Sequence, residues 1–292
     1  MPFADRPQLL GLALGLIGVL IFSATLPFTH IALEGFSPAF ITFGRALVAS
    51  AAAIVTLLVL RRRPLPRGHF GQLFAAGLCV VFAFPGFSSI AMQTIPASHG
   101  AVVLGLLPLL TAIFAAIIDG ERPGILFWIC GVIGATLFVS FSVTQNGFQM
   151  QPGDLWLFAA AVIVALGYVL LGRLSRSLSG WEAICWALVV TLPISLIGTA
   201  MTASNGFHAP TVTAWGAFAY LGLMSMFAGF LFWNAGLAIG GIGRVAQVQL
   251  MQTFFTLGIS ALLLGEHVGL ETVGFAMLVA FVVWLGRKAR HS

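Results

Sequence analysis

IIDGERPG, residues 117–124, breaks an apolar chain with Asp119, Glu121 and Arg122, and a variant of the phrase, LLLGEHVG, returns at residues 262–269. The interval is 145 residues in a chain of 292, close to half its length. Each phrase closes a long apolar run with Gly-Glu. Such a recurrence points to two like halves, and the runs around it decide what those halves are.

Hydrophobic residues make up 60% of the chain, charged residues 7%, and mean hydropathy is +1.07. A soluble domain of this size needs more polar surface than that. The apolar residues also lie in unbroken runs: 9–28, 155–171 and 272–286 contain no charge. A helix crossing bilayer hydrocarbon needs roughly 17–20 such residues, whereas a membrane barrel would alternate polarity over segments of about ten. The composition therefore implies an all-α integral membrane protein. The N-terminal run is too long for a signal peptide and has no small-x-small cleavage site before Glu34-Gly35-Phe36-Ser37-Pro38. It reads as a first span. Cys79, Cys130 and Cys185 each fall within a span and are expected to stay unpaired.

Ten apolar segments can be marked off, at about 8–29, 38–60, 70–92, 98–118, 124–142, 154–173, 181–201, 213–236, 244–264 and 270–286. An even number puts both termini on one side. Twelve of the 13 Lys and Arg residues fall at the termini or in loops on that side, and none in the opposite loops. The positive-inside rule then places both termini in the cytoplasm. The basic balance is a topology signal, so no nucleic-acid partner is expected. Arg45 alone lies within a span.

Shifting the sequence by 145 aligns 71–124 with 216–269 without gaps, and 13 of 54 positions are identical, among them Gly77, Phe82, Thr111, Gly120 and Glu121. The division is 1–145 and 146–292, five spans each. Five is odd, so the second copy enters the membrane from the opposite face. Inverted repeats of this kind suit alternating-access carriers, which hold substrate near the midplane where the copies meet. Gly120 and Gly265 sit where glycine caps a helix C-terminus, and Glu121 and Glu266 follow at the water boundary as interfacial start signals.

Several features together resemble the EamA type of drug/metabolite transporter. They are ten short spans in paired halves, Pro38 followed by Arg45 in the second span, Pro108 in the middle of the fourth, and Gly-Glu after the fourth and ninth. The resemblance implies a basket of helices around a central cavity and export of amino acids or related metabolites. One departure stands out: the ninth span reads Leu250-Met251-Gln252-Thr253 where the family favours proline, so that helix is expected to be straighter than its partner.

Polar groups in hydrocarbon normally face the bundle interior. Gln249, Gln252 and Thr256 fall on one side of the ninth helix; cavity lining and plain helix–helix hydrogen bonding are equal readings of that stripe. The shift superposes Trp233-Asn234 on Ser88-Ser89 and Ser23 on Tyr168, so these are candidates for a midplane ring, with Phe84, Phe87 and Phe230 nearby for an apolar or aromatic side chain. Pro27, Pro85, Pro108 and Pro193 interrupt spans and free backbone carbonyls; curvature is their commoner consequence. Arg45 stays ionised, and either pairs with a substrate carboxylate or is anchored by Glu34 or helix-end carbonyls. Because the resemblance makes it a feature of carriers with different substrates, the anchor is preferred.

All eight acidic residues lie at span ends or in loops. Uniport or exchange without an intramembrane carboxylate follows, with His30 and His99 near the outer boundary. Neither His-Glu-x-x-His nor paired intramembrane aspartates occur, so no catalytic residue, metal or cofactor is expected. The expected partners are a small molecule and lipid, and one chain carrying both halves suffices as a monomer. The rival substrates, a drug-like cation or a sugar phosphate, would favour a buried Glu or several inward cations.

Overall fold

The computed structural model describes residues 6–62, 65, 67–120, 124–145, 151–174, 177–240 and 245–290. Helices account for almost all of them, and among the described residues the only β pairing is a single bridge, Phe36 with Phe207. We number the ten apolar helices in order. They are α1 (Gln8–Leu33), α2 (Pro38–Val59), α3 (Phe70–Ala91), α4 (Ala97–Ile118), α5 (Ile125–Thr144), α6 (Pro152–Leu174), α7 (Gly180–Val190 and Leu192–Ala203), α8 (Val212–Gly240), α9 (Val248–Leu264) and α10 (Leu270–Gly286). Seven are long and apolar enough to cross a membrane, and the two arms of α7, bent by 50°, make an eighth. The last two correspond to segments read in the sequence but have shorter apolar stretches.

Local chemistry sets the ends. Pro38 starts α2 while the Ser37 hydroxyl accepts from the Phe40 amide at 3.2 Å. Thr211 does the same for Ala214 at the head of α8, and Ser179 with Glu182 forms a capping box on α7. Gly120 and Gly265 close α4 and α9 in left-handed conformations, φ 70° and 65°. Side chains pay a steric penalty there, which is why glycine recurs at both ends.

Two pairs of breaks inside the spans fall at corresponding positions of the repeat. Wide π turns run through Leu78–Ala83 in α3 and Tyr220–Ala228 in α8. Turn residues Gly105 and Leu106 split α4 just ahead of Pro108. In α9, which lacks that proline, Ala246–Met251 is a 3-10 stretch that gives way to α-helix at Gln252. The ninth helix is thus irregular at the same depth as its partner. Pro27 follows a break at Ala24 in α1. In α7 the break falls at Thr191, two residues before Pro193, and Ser50 of α2 donates to the Leu188 carbonyl there at 3.0 Å. A freed carbonyl in lipid needs such a partner.

Packing follows the repeat. α1 lies against α8 as α6 lies against α3, and α4 against α6 as α9 against α1. The pairs α2–α7, α4–α9 and α5–α10 map onto themselves. The α1–α8 contact is the tightest. A Cβ placed on Gly11 would come within 2.2 Å of the Gly240 nitrogen, and one on Gly236 within 2.6 Å of the Gly15 nitrogen. Gly11 and Gly15 face Gly236 and Gly240, a small-x-x-x-small pattern on each side, so the backbones meet directly. Cys79, Cys130 and Cys185 are free thiols.

Candidate functional site

α1, α2, α3, α4, α6, α8, α9 and α10 surround a narrow central cavity of about 50 Å³. Both halves contribute. Its apolar wall comes from Phe22 and Leu26 of α1, Phe84 of α3 and Met226 and Phe230 of α8. Its polar wall comes from Thr25, Arg45, Tyr168 and Ser225, and from Gln249, Gln252, Thr253 and Thr256 along α9. A concave, mainly apolar pocket with a few convergent polar groups is the usual form of a small-molecule site.

The α9 stripe therefore faces the cavity. Thr256 donates to the Gln252 carbonyl at 2.9 Å and is internally satisfied. Neither the Gln249 nor the Gln252 side-chain amide bonds another described residue, so both are available to a ligand. Phe84, Tyr168 and Pro108 also line the space, and the Tyr168 ring meets Phe230 edge-on at 6.2 Å.

Four residues placed in the ring from sequence lie elsewhere. Ser23 is fully buried, with its hydroxyl 2.7 Å from the Val19 carbonyl and 3.2 Å from that of Gln252, so it pins α1 to α9. Ser88 is fully buried and donates to the Pro85 carbonyl at 3.1 Å. Asn234 donates to the Phe230 carbonyl at 2.8 Å and packs on Gly180 at the head of α7; it and Trp233 do not line the cavity. Trp233 instead abuts Gly18 of α1. The physical reason is shared. Ser88 and Trp233-Asn234 follow the wide turns of α3 and α8, and Ser23 sits at the break of α1. An irregular turn changes the facing of everything beyond it by up to about 100°. Pro27 and Pro85 shape their helices without lining the space.

Arg45 is 2% exposed and belongs to the cavity wall. Its Nη2 donates to Ser225 Oγ at 3.1 Å, and Ser225 Oγ lies 2.8 Å from Thr25 Oγ1. Neither Glu34 nor a helix-end carbonyl holds it: its Nε and Nη1 are buried without any partner. The expected anchor is replaced by two hydroxyls. Nothing in the sequence linked Thr25 and Ser225 to Arg45, which lie 20 and 180 positions away in the chain.

A second set of contacts joins helix ends beside the start of α4. Glu266 reaches across to the start of α4, where its two carboxylate oxygens accept from the Ala97 amide at 2.8 Å and the Ser98 amide at 2.7 Å. A carboxylate on the unpaired amides of a helix N-terminus is favourable by both hydrogen bonding and the helix dipole. One residue on, His99 Nε2 lies 2.6 Å from Asp154 Oδ1, and Asp154 is fully buried although it belongs to the first turn of α6. The Ser37 and His208 amides donate to the Gly206 and Gly35 carbonyls, both at 2.9 Å, and tie the α1–α2 turn to the α7–α8 turn. Glu121 lies outside the described residues.

Comparison with known proteins agrees with this architecture. The EamA-like transporter family model matches twice, at residues 9–143 and 151–286. An uncharacterized transporter of Bacillus subtilis, YdeK, is 39% identical over 94% of this chain and 96% of its own. A probable terminal-alkyne amino-acid exporter of Streptantibioticus cattleyicolor is 24% identical over 92% of this chain and 91% of its own. A solved crystal structure superposes with a TM-score of 0.64 at 20% identity, covering 96% of this chain and 97% of that one, which speaks to fold alone. The protein is a multi-pass membrane transporter with two copies of one helical unit, and the chain belongs to the EamA-like transporter family.

Proposed function

We propose that the protein exports amino acids, neutral and aromatic ones foremost, or closely related metabolites from the cytoplasm of a bacterial cell by alternating access. Both termini are cytoplasmic in this reading, residues 1–145 and 146–292 are oppositely oriented repeats, and one chain is sufficient. The observation that carries it is the cavity itself. It lies between the repeats and has free Gln249 and Gln252 amides on one wall and Phe22, Phe84 and Phe230 on another. The 24% identical amino-acid exporter supports the same cargo class.

A drug-like cation is the second reading, and the lining disfavours it, because none of the described lining residues is a carboxylate. For the same reason the carrier runs as a uniporter or exchanger rather than by protonation of a cavity acid. The test is counterflow in proteoliposomes with a panel of labelled amino acids. Saturable uptake of at least one is expected, reduced by Gln249→Ala and Gln252→Ala and untouched by Trp233→Ala. Uptake abolished by collapsing a pH gradient overturns the uncoupled mechanism, and a silent panel overturns the cargo class.

A further inference from the structure

Arg45 presents an unbalanced charge. It is nine-tenths and more buried, two of its nitrogens have no partner, and among the described residues no carboxylate lies within ion-pair distance. A guanidinium cannot shed its proton to relieve this, and a buried charge without a partner is costly. Hydrogen-bond direction sharpens the point. Arg45 can only donate, so Ser225 Oγ accepts from it, while the Ser225–Thr25 hydroxyl pair can run in either direction. Two donors, Arg45 Nε–H and Arg45 Nη1–H, lie side by side and lack an acceptor.

We propose that this cluster is the subsite for the carboxylate of the cargo. The proposal rests on the transport reading above and adds which chemical group is recognised. Arg45 is the sole cation of the described lining, which fits a monoanion and not a phosphate dianion. The planar fork suits a two-oxygen acceptor. To reach it, the Arg45 side chain turns into the cavity whose wall it forms. The other end of the cargo meets only neutral acceptors, the Gln249 and Gln252 amides and hydroxyls such as Thr256. Recognition is therefore asymmetric: the carboxylate is required, and the ammonium of an amino acid is dispensable.

The experiment uses the full chain in detergent and in proteoliposomes. Binding is read by ligand-induced thermal shift and competition in counterflow, with L-phenylalanine, L-leucine and L-threonine, their amides, and 3-phenylpropionate. The acids and 3-phenylpropionate are expected to bind, and the amides to bind about 30-fold more weakly or worse. Arg45→Gln brings the acids down to the level of the amides, and Arg45→Lys restores part of the difference. If Arg45→Gln does not fold, the acid-to-amide ratio of the unaltered protein decides. Equal binding of acids and amides, a ratio unchanged in Arg45→Gln, or no carboxylate bound at all overturns the subsite. Amino acids and their amides binding alike leave the amino-acid reading standing without it. Binding of 3-phenylpropionate but no amino acid leaves the subsite standing and removes amino acids as cargo.

Discussion

Replacing Gly11 by alanine tests whether direct backbone contact joins the two halves. The added Cβ would sit 2.2 Å from the Gly240 nitrogen and 2.3 Å from its Cα, against the 3.4 Å at which ordinary contact begins. The shortfall is about 1.2 Å. Neither obstructing atom is the free end of a side chain, so the helices themselves must part. A gap of 0.5–1 Å already forfeits about a quarter to a half of each dispersion contact, and overpacking of this kind costs about 1–3 kcal/mol. We expect the upper part of that range, because Gly15, Gly236 and Gly240 share the seam. Thermal unfolding in detergent should show the midpoint of Gly11→Ala falling by roughly 5 °C or more. Gly172→Ala, where a Cβ meets nothing within 4 Å, serves as the control and should be neutral or slightly stabilising. Gly11→Ala matching the control would refute the idea that α1 and α8 meet backbone to backbone.

Further substitutions probe three other contacts. Glu266→Ala uncovers the Ala97 and Ser98 amides, so a cysteine placed at Ser98 should be labelled from solvent several-fold faster, and an unchanged rate would show that the carboxylate does not cover them. Ser50→Ala removes the donor to the Leu188 carbonyl at the bend of α7 and should cost about 1 kcal/mol by thermal unfolding. Asp154→Asn breaks a buried pair and should cost about 3 kcal/mol, with His99→Ala adding little on top; additive losses would mean the two side chains are not coupled.

Much of the architecture could be read from residues in order. Uninterrupted apolar runs mark spans because hydrocarbon tolerates little else, and Gly120 and Gly265 mark helix ends because few other residues adopt that backbone. The α9 stripe was legible since Gln249, Gln252 and Thr256 sit within two turns of one helix. Facing beyond an irregular turn was not. Ser88, Trp233 and Asn234 have the right depth but the wrong azimuth, since nothing in LCVVFA or YLGLMSMFA announces a widened turn. Long-range partners were hidden for a different reason. Glu266 resembles an interfacial cap wherever it points, and its bond to α4 spans 169 residues. Thr25 and Ser225 are ordinary hydroxyl residues until folding sets them beside Arg45.

The bend at Thr191 belongs to α7 alone. Its counterpart by the repeat, Ala46, sits in the straight α2, one residue after Arg45. Two interchangeable halves would rest equally well facing either compartment. With one hinge preformed and the other absent, the halves are not interchangeable, so an exchange of their conformations would join states of unequal free energy. In a carrier of that kind the inequality sets how long the empty site waits on each side, while the cargo gradient alone sets the direction of net flux without coupling.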